Sequence, residues 1–300
     1  MVTFAPPSAP ARRDLAVAWM NRGHEWMQRD DTAGLARALP AYGKAILILR
    51  RLPWKDQPSW ANSLGAAWMN RGLLLHRRHG TGRFRAALAC FDRAIEILRQ
   101  LPAGEIPWPR RNLAGSHLNR ASLLLDLARP AEARTDAFAA LQLTVPHEHA
   151  DPFDAELSLK ARRALCDALG QLIVAPGADQ DALASEASDL VDDALELIRR
   201  WDAVGATSFR ALTVRFFRFG ARLYRQHQLQ FLPEFLNENF SCALPESRAI
   251  AHQEAALALR ARPDQPYFFL NDPGTERRIR IERELGEIHF RLSQTAACPS

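Results

Sequence analysis

Six residues, AWMNRG, occur at 18–23 and again at 67–72, and a blurred third copy, SHLNRA, stands at 116–121. The spacing of 49 aligns more than those letters: Leu15, Leu64 and Leu113 fall in register, as do Asn21, Asn70 and Asn119, Ala38 and Ala87, Ala45 and Ala94, Ile46 and Ile95, and Pro53 and Pro102. A fixed period of this size marks stacked units, each too small to bury its own apolar face and dependent on its neighbours.

Within each unit the apolar residues recur at helical spacing, as in Leu15, Trp19, Gly23 and Trp26, followed by Ala38, Tyr42, Ala45 and Leu49. Each unit therefore reads as a pair of helices. The first helix places a small residue (Gly23, Gly72, Ala121) on the stripe that carries Trp19 or Trp68. The second offers small, large, small in Ala38, Tyr42, Ala45 and in Ala87, Phe91, Ala94, and small throughout in Ala133, Ala137, Ala140. Small residues let two helix backbones approach, and an aromatic ring one turn away fills the wedge that remains.

This pattern resembles the tetratricopeptide repeat family over residues 12–146. The two WMNRG runs supply the family's Trp and Gly, Trp26 and Leu75 take its next large site, and ALACFDRA at 87–94 supplies the second-helix series. The units depart from the family in their longer helices, in an inter-helix segment three residues longer in units one and two than in unit three, and in Arg22, Arg71 and Arg120, which stand where the consensus favours leucine. The resemblance implies an all-α fold, a right-handed superhelix of stacked antiparallel helix pairs, with the first helices lining its concave side.

Beyond the clear repeats, 151–203 reads as a fourth unit, with Ala187, Val191 and Ala194 at second-helix spacing and Leu159 where the earlier units carry asparagine. The whole chain is expected to form one helical-repeat domain, with units at about 12–60, 61–109, 110–150, 151–203 and 206–243, and capping helices over 246–297.

Composition narrows the function classes. Four cysteines lie far apart with no ligand-spaced histidine, so buried thiols are expected and neither a disulfide framework nor a zinc site. No signal-like or membrane-spanning run is present, and the expected location is cytoplasmic. Residues 1–150 carry 21 basic and 12 acidic side chains, a net of +9, whereas the remainder carries 18 and 22, a net of −4. Arginine dominates, with lysine only at 44, 55 and 160, so charge alone does not establish nucleic-acid binding. HEH at 147–149 with Asp151 reads as a polar connector rather than a metal clip, and RRHGTGRFR at 77–85 as a helix junction lacking phosphate-loop spacing. No catalytic motif anchors an enzymatic reading, and no cofactor or metal is expected.

The remaining function is recognition. Counted on the family pattern, the concave stripe holds Val17, Met20, Asn21, His24 and Met27, then Ala66, Met69, Asn70, Leu73, His76 and Arg77, then Leu118, Asn119, Ser122 and Leu125. An asparagine amide offers one acceptor and two donor hydrogens, which matches the repeating groups of an extended peptide; the alternative is that each amide only hydrogen-bonds a neighbouring helix. Flexible methionines suit variable side chains beside it. The expected activity is a protein-protein interaction scaffold that binds an extended peptide or partner protein. The alternatives are single-stranded RNA or another polyanion held by the basic half, or a structural assembly subunit. Arg120 is expected to pair with Asp136, and Arg22 and Arg71, opposite Ala41 and Cys90, to be solvated, with contact to an acidic ligand as the alternative.

Overall fold

The computed structural model describes residues 8–29, 31–77, 81–102, 106–204 and Phe216, so the expected elements at 206–243 and 246–297 lie outside the described residues. Among these residues eight α-helices follow in order: α1 Ala9–Gln28, α2 Thr32–Leu49, α3 Pro58–Arg77, α4 Thr81–Leu98, α5 Trp108–Asp126, α6 Pro130–Thr144, α7 Pro152–Ile173 and α8 Gln180–Ala203. Among the described residues there is no strand, and the fold is all-α. The chain divides into two compact units, Met1–Pro146 and His147–Ser300.

Local chemistry sets the helix ends. The Ser8 hydroxyl accepts from the Ala11 amide at 3.3 Å, and the Asp31 carboxylate accepts from Gly34. Asp151 accepts from the amides of Phe153 and Asp154 at 2.8 and 3.3 Å. Each satisfies amide donors that the first helical turn leaves unpaired. Proline occupies the first or second position of α1, α5, α6 and α7, where its missing donor costs nothing.

In the first compact unit the helices pair as α1 with α2, α3 with α4 and α5 with α6. Gly65 faces Leu98 while Gly72 faces Phe91, so moving up α3 means moving down α4, which makes the pair antiparallel. Packing within a pair depends on the predicted complementarity. A Cβ on Gly72 would lie 2.7 Å from the Phe91 ring, and one on Gly23 would lie 3.0 Å from the Tyr42 ring. In the third pair, Ala121 replaces glycine and Ala137 stands where the ring would be, both fully buried. The third pair thus fills this contact with two small side chains where the first two set a glycine against a ring.

Pairs then stack through their first helices, α1 on α3 and α3 on α5, while α2 packs on α3 and α4 on α5. Asn112 donates to Asn62 at 2.9 Å, and His76 Nε2 lies 2.6 Å from Asp126 Oδ2, each pair 50 residues apart. A constant offset near both ends of α3 and α5 makes them parallel. Between these ties Met69 fills the space beside Gly115, its sulfur 3.4 Å from where a Cβ would stand.

The turn joining α5 to α6 explains the shorter third connection. The Arg129 amide donates to Leu124 O at 2.9 Å and the Ala128 amide to Leu125 O at 3.0 Å, while Ala128 adopts φ 54°. This is the bond pattern of a helix end that ordinarily uses glycine in the left-handed region. Alanine there carries a steric cost.

The second compact unit contains the α7–α8 pair. Ala184, Ala187, Val191 and Ala194 are fully buried on α8, and Leu159, in the asparagine position of α7, is fully buried too. The predicted connector does more than link helices. Glu148 turns inward, accepts from Ser158 and from Arg162 at 2.7 Å, and its carbonyl receives the Trp201 indole at 2.9 Å, tying the end of α8 to the start of the unit. Among the described residues no group of histidines, cysteines and carboxylates could hold a metal. Cys90 and Cys166 are free and buried, and burial pushes the Cys90 thiol up to about 11.

Two substitutions test this packing. Gly72→Ala should destabilise the protein by about 1–3 kcal/mol through overpacking against Phe91, with part of the loss recovered by adding Phe91→Leu. Ala128→Gly should stabilise it by about 0.5–1 kcal/mol, since only the left-handed penalty is removed. Urea unfolding read by circular dichroism measures both.

Candidate interaction face

Helical geometry decides where the repeated asparagines point. Gly23 and Gly72 face the second helix of their own pair, and each asparagine lies two residues earlier. At roughly 100° per residue, that places Asn21, Asn70 and Asn119 about 160° around the helix from the glycine stripe. The three amides therefore share one face of the stack, directed away from α2, α4 and α6.

Asn21 is exposed and Asn70 and Asn119 are half-buried. Among the described residues none of the three side chains makes a hydrogen bond to the protein. His24, Arg77 and Ser122 are exposed, and the His24 ring sits 2.9 Å from the Gln28 amide. Met20, Met69 and Leu73 are half-buried; Met20 and Leu73 also pack on the core beside Tyr42 and Leu74, so only part of each reaches the surface.

Two expected contact residues do not belong to this face. Met27 is 6% exposed and packs with Ala38, Tyr42 and Leu74. His76, one repeat later at the same position, is 9% exposed, bonded to Asp126 and set edge-on to Phe84 at 6.1 Å. The physical reason is the same for both. Each lies four residues after its glycine, about 40° from the buried stripe and far from the asparagine. Both serve the seam between successive pairs.

The arginines next to the asparagines differ along the stack. Arg22 is exposed, bonds Glu25 at 3.2 Å and lies 5.0 Å from the Trp26 ring centroid. Arg71 is half-buried with its guanidinium 5.8 Å from the Trp68 ring centroid, so it is less solvated than expected. Arg120 makes the predicted ion pair, with Nε 2.7 Å and Nη2 2.6 Å from the Asp136 carboxylate, and it also bonds Asp92 on α4 at 2.6 Å. His117 Nδ1 lies 2.8 Å from Asp136 as well. His117 occupies the position of Trp19 and Trp68, and Asp136 that of Ala41 and Cys90. The third pair thus exchanges an indole and a small residue for a buried hydrogen-bonded cluster.

Sequence reading missed the His117 and Glu148 partners and a cavity of about 430 Å³ lined by Trp54, Trp68, Arg50 and Lys55. The signal for His117 was present, since a polar residue in a tryptophan position calls for a polar partner.

No protein-family model matches the chain, and no curated protein does. Among solved structures, the crystal structure of a de novo designed helical repeat protein is similar at 13% identity and a TM-score of 0.26, covering 97% of this chain and 100% of that one. The architecture stands on the helix packing itself. Among the described residues no helix is long and apolar enough to cross a membrane.

The buried carboxylates give a pH dependence with a definite sign. Burial opposes the charge of Asp136, but hydrogen bonds from His117 and Arg120 outweigh it and hold its carboxyl below the ordinary 3.8. Burial likewise opposes the charge of Glu148, and bonds from Arg162 and Ser158 hold it below 4.5. A carboxyl with a depressed folded pKa stabilises fully above its unfolded value, and that contribution is lost as pH falls through the folded one. Stability should therefore be retained from neutrality down to about the ordinary carboxylate range and fall below it. In melts at stepped pH, Asp136→Asn and Glu148→Gln should each lower stability at neutral pH and flatten the acid decline; an unchanged acid slope in both would refute the assignment.

Proposed function

We propose that this chain is a tetratricopeptide-like binding scaffold that holds an extended peptide, or an extended segment of a partner protein, along the first helices of residues 12–146. The supporting observation is the asparagine register: three amides at one repeat spacing on a common face, none hydrogen-bonded to another described residue. An extended strand presents donors and acceptors at regular intervals, and a row of amides can satisfy them without regard to side-chain identity. Met20, Met69 and Leu73 supply adaptable apolar contact, and His24, Arg77 and Ser122 supply polar contact at the margin. The row ends at the third pair, because the equivalent residue of α7 is the buried Leu159. The reading is one of recognition without catalysis, by a protein of the cytoplasm.

A second reading draws on charge. The net +9 of residues 1–150 favours an anionic partner such as single-stranded RNA. Salt separates the two: an amide row holds its peptide as salt rises, whereas a polyanion is released steeply.

The test is the double variant Asn70→Ala with Asn119→Ala. Both residues are part-exposed and away from the pair interface, so the melting temperature should hold. Each lost bond costs on the order of 1 kcal/mol, so partner affinity should fall about tenfold or more. Affinity of a partner recovered by pull-down from the native host, measured on wild type and variant, checks this. Unchanged affinity with an intact fold would sink the asparagine assignment.

A further inference from the structure

We propose that the cavity between α3, α4 and the turn at Trp54–Asp56 binds a nucleoside phosphate, a site separate from the asparagine face. Its volume, about 430 Å³, lies within the range of small-molecule sites. Trp54, Trp68, Leu64 and Ile97 provide its apolar lining, and Arg50, Lys55 and Arg93 stand against one carboxylate, Glu96.

The repeat supplies an internal comparison. In the first pair, Lys44 Nζ lies over Trp19 at 4.1 Å from the ring centroid, so that indole face is already occupied. One repeat later, Arg93 takes the place of Lys44, but Glu96 holds it at 2.7 Å; the Arg71 guanidinium stands 5.8 Å from the Trp68 centroid, and Trp68 lines the cavity. Leu47 stands where Glu96 does in the first pair, which is why Lys44 has no such restraint. The preceding turn then adds a second indole, Trp54, with Lys55 Nζ 5.8 Å from its ring centroid.

The chemistry selects the ligand. Glu96 is engaged by Arg93, whereas Arg50 and Lys55 are exposed and have no carboxylate partner among the described residues. That excess of positive charge disfavours a cationic guest. A purely apolar guest would leave the cations unused, and a bare anion would leave the indoles unused. A flat aromatic group bearing a phosphate uses both, with the base stacked on indole and the phosphate met by Arg50 and Lys55. The Gln100 amide donates to Glu96 O at 3.0 Å, which leaves its carbonyl oxygen free to accept from an exocyclic amine.

Isothermal titration of the full chain with AMP tests the proposal, with adenosine, inorganic phosphate and a single-stranded oligonucleotide as comparisons. AMP should bind, and adenosine and phosphate should each bind about tenfold or more weakly, because each uses half of the site. Arg50→Gln with Lys55→Gln, both on the surface, should leave the melting temperature unchanged and weaken AMP about tenfold or more. Trp54→Ala should weaken AMP and adenosine together. The proposal is overturned by no heat at millimolar AMP, by phosphate binding as well as AMP, by AMP affinity unchanged in the double variant, or by binding of the oligonucleotide alone.

Discussion

How closely two helices approach is set by what stands between them, and in the first two pairs that is a glycine against an aromatic ring. Gly23 beneath Tyr42 and Gly72 beneath Phe91 leave no room for even a methyl group. Interiors pack at crystal-like density, so this contact fixes the separation and rotation of each pair. Everything else follows from that rotation. It decides which residues of α1, α3 and α5 meet the next pair, and it leaves the asparagine two residues earlier on the opposite side. The third pair reaches the same result with Ala121 and Ala137, and it supplements the lost aromatic burial with a buried carboxylate cluster.

Stacking uses a different vocabulary from pairing. Within a pair the contacts are mostly apolar and side chains interlock, whereas between α3 and α5 the ties include an amide pair, an imidazole and a carboxylate. Arg120 joins both roles, bonding Asp136 within its pair and Asp92 on α4. Directional bonds of this kind fix the register of one pair on the next, which burial alone does weakly. The second compact unit follows the same logic around Glu148, where a connector carboxylate, an arginine, a serine and an indole close the α7–α8 hairpin.

Much of this was legible in the sequence because a repeat is read several times over. The helix pairs, the small and large positions of the second helices, the Arg120–Asp136 pair and the fourth pair at 151–203 all appear where period and spacing place them. The errors came from treating the exposed face as wider than it is. Met27 and His76 lie beside the glycine stripe by simple helical rotation, each four residues after its glycine. Other features were out of reach for a physical reason. The inward turn of Glu148 depends on Arg162 and Trp201, distant in sequence. The cavity beside Trp54 depends on a turn whose path no periodicity encodes.

One repeat position, occupied by Met27 in the first pair and His76 in the second, gives the two seams of the stack unlike thermodynamic character. At Met27 the seam is held by burial against Leu74, a contact that weakens on cooling. At His76 it is held by a hydrogen bond between the buried ring and a half-exposed carboxylate, a directional contact that does not draw on apolar burial. Cooling therefore loosens one joint of the stack before the other.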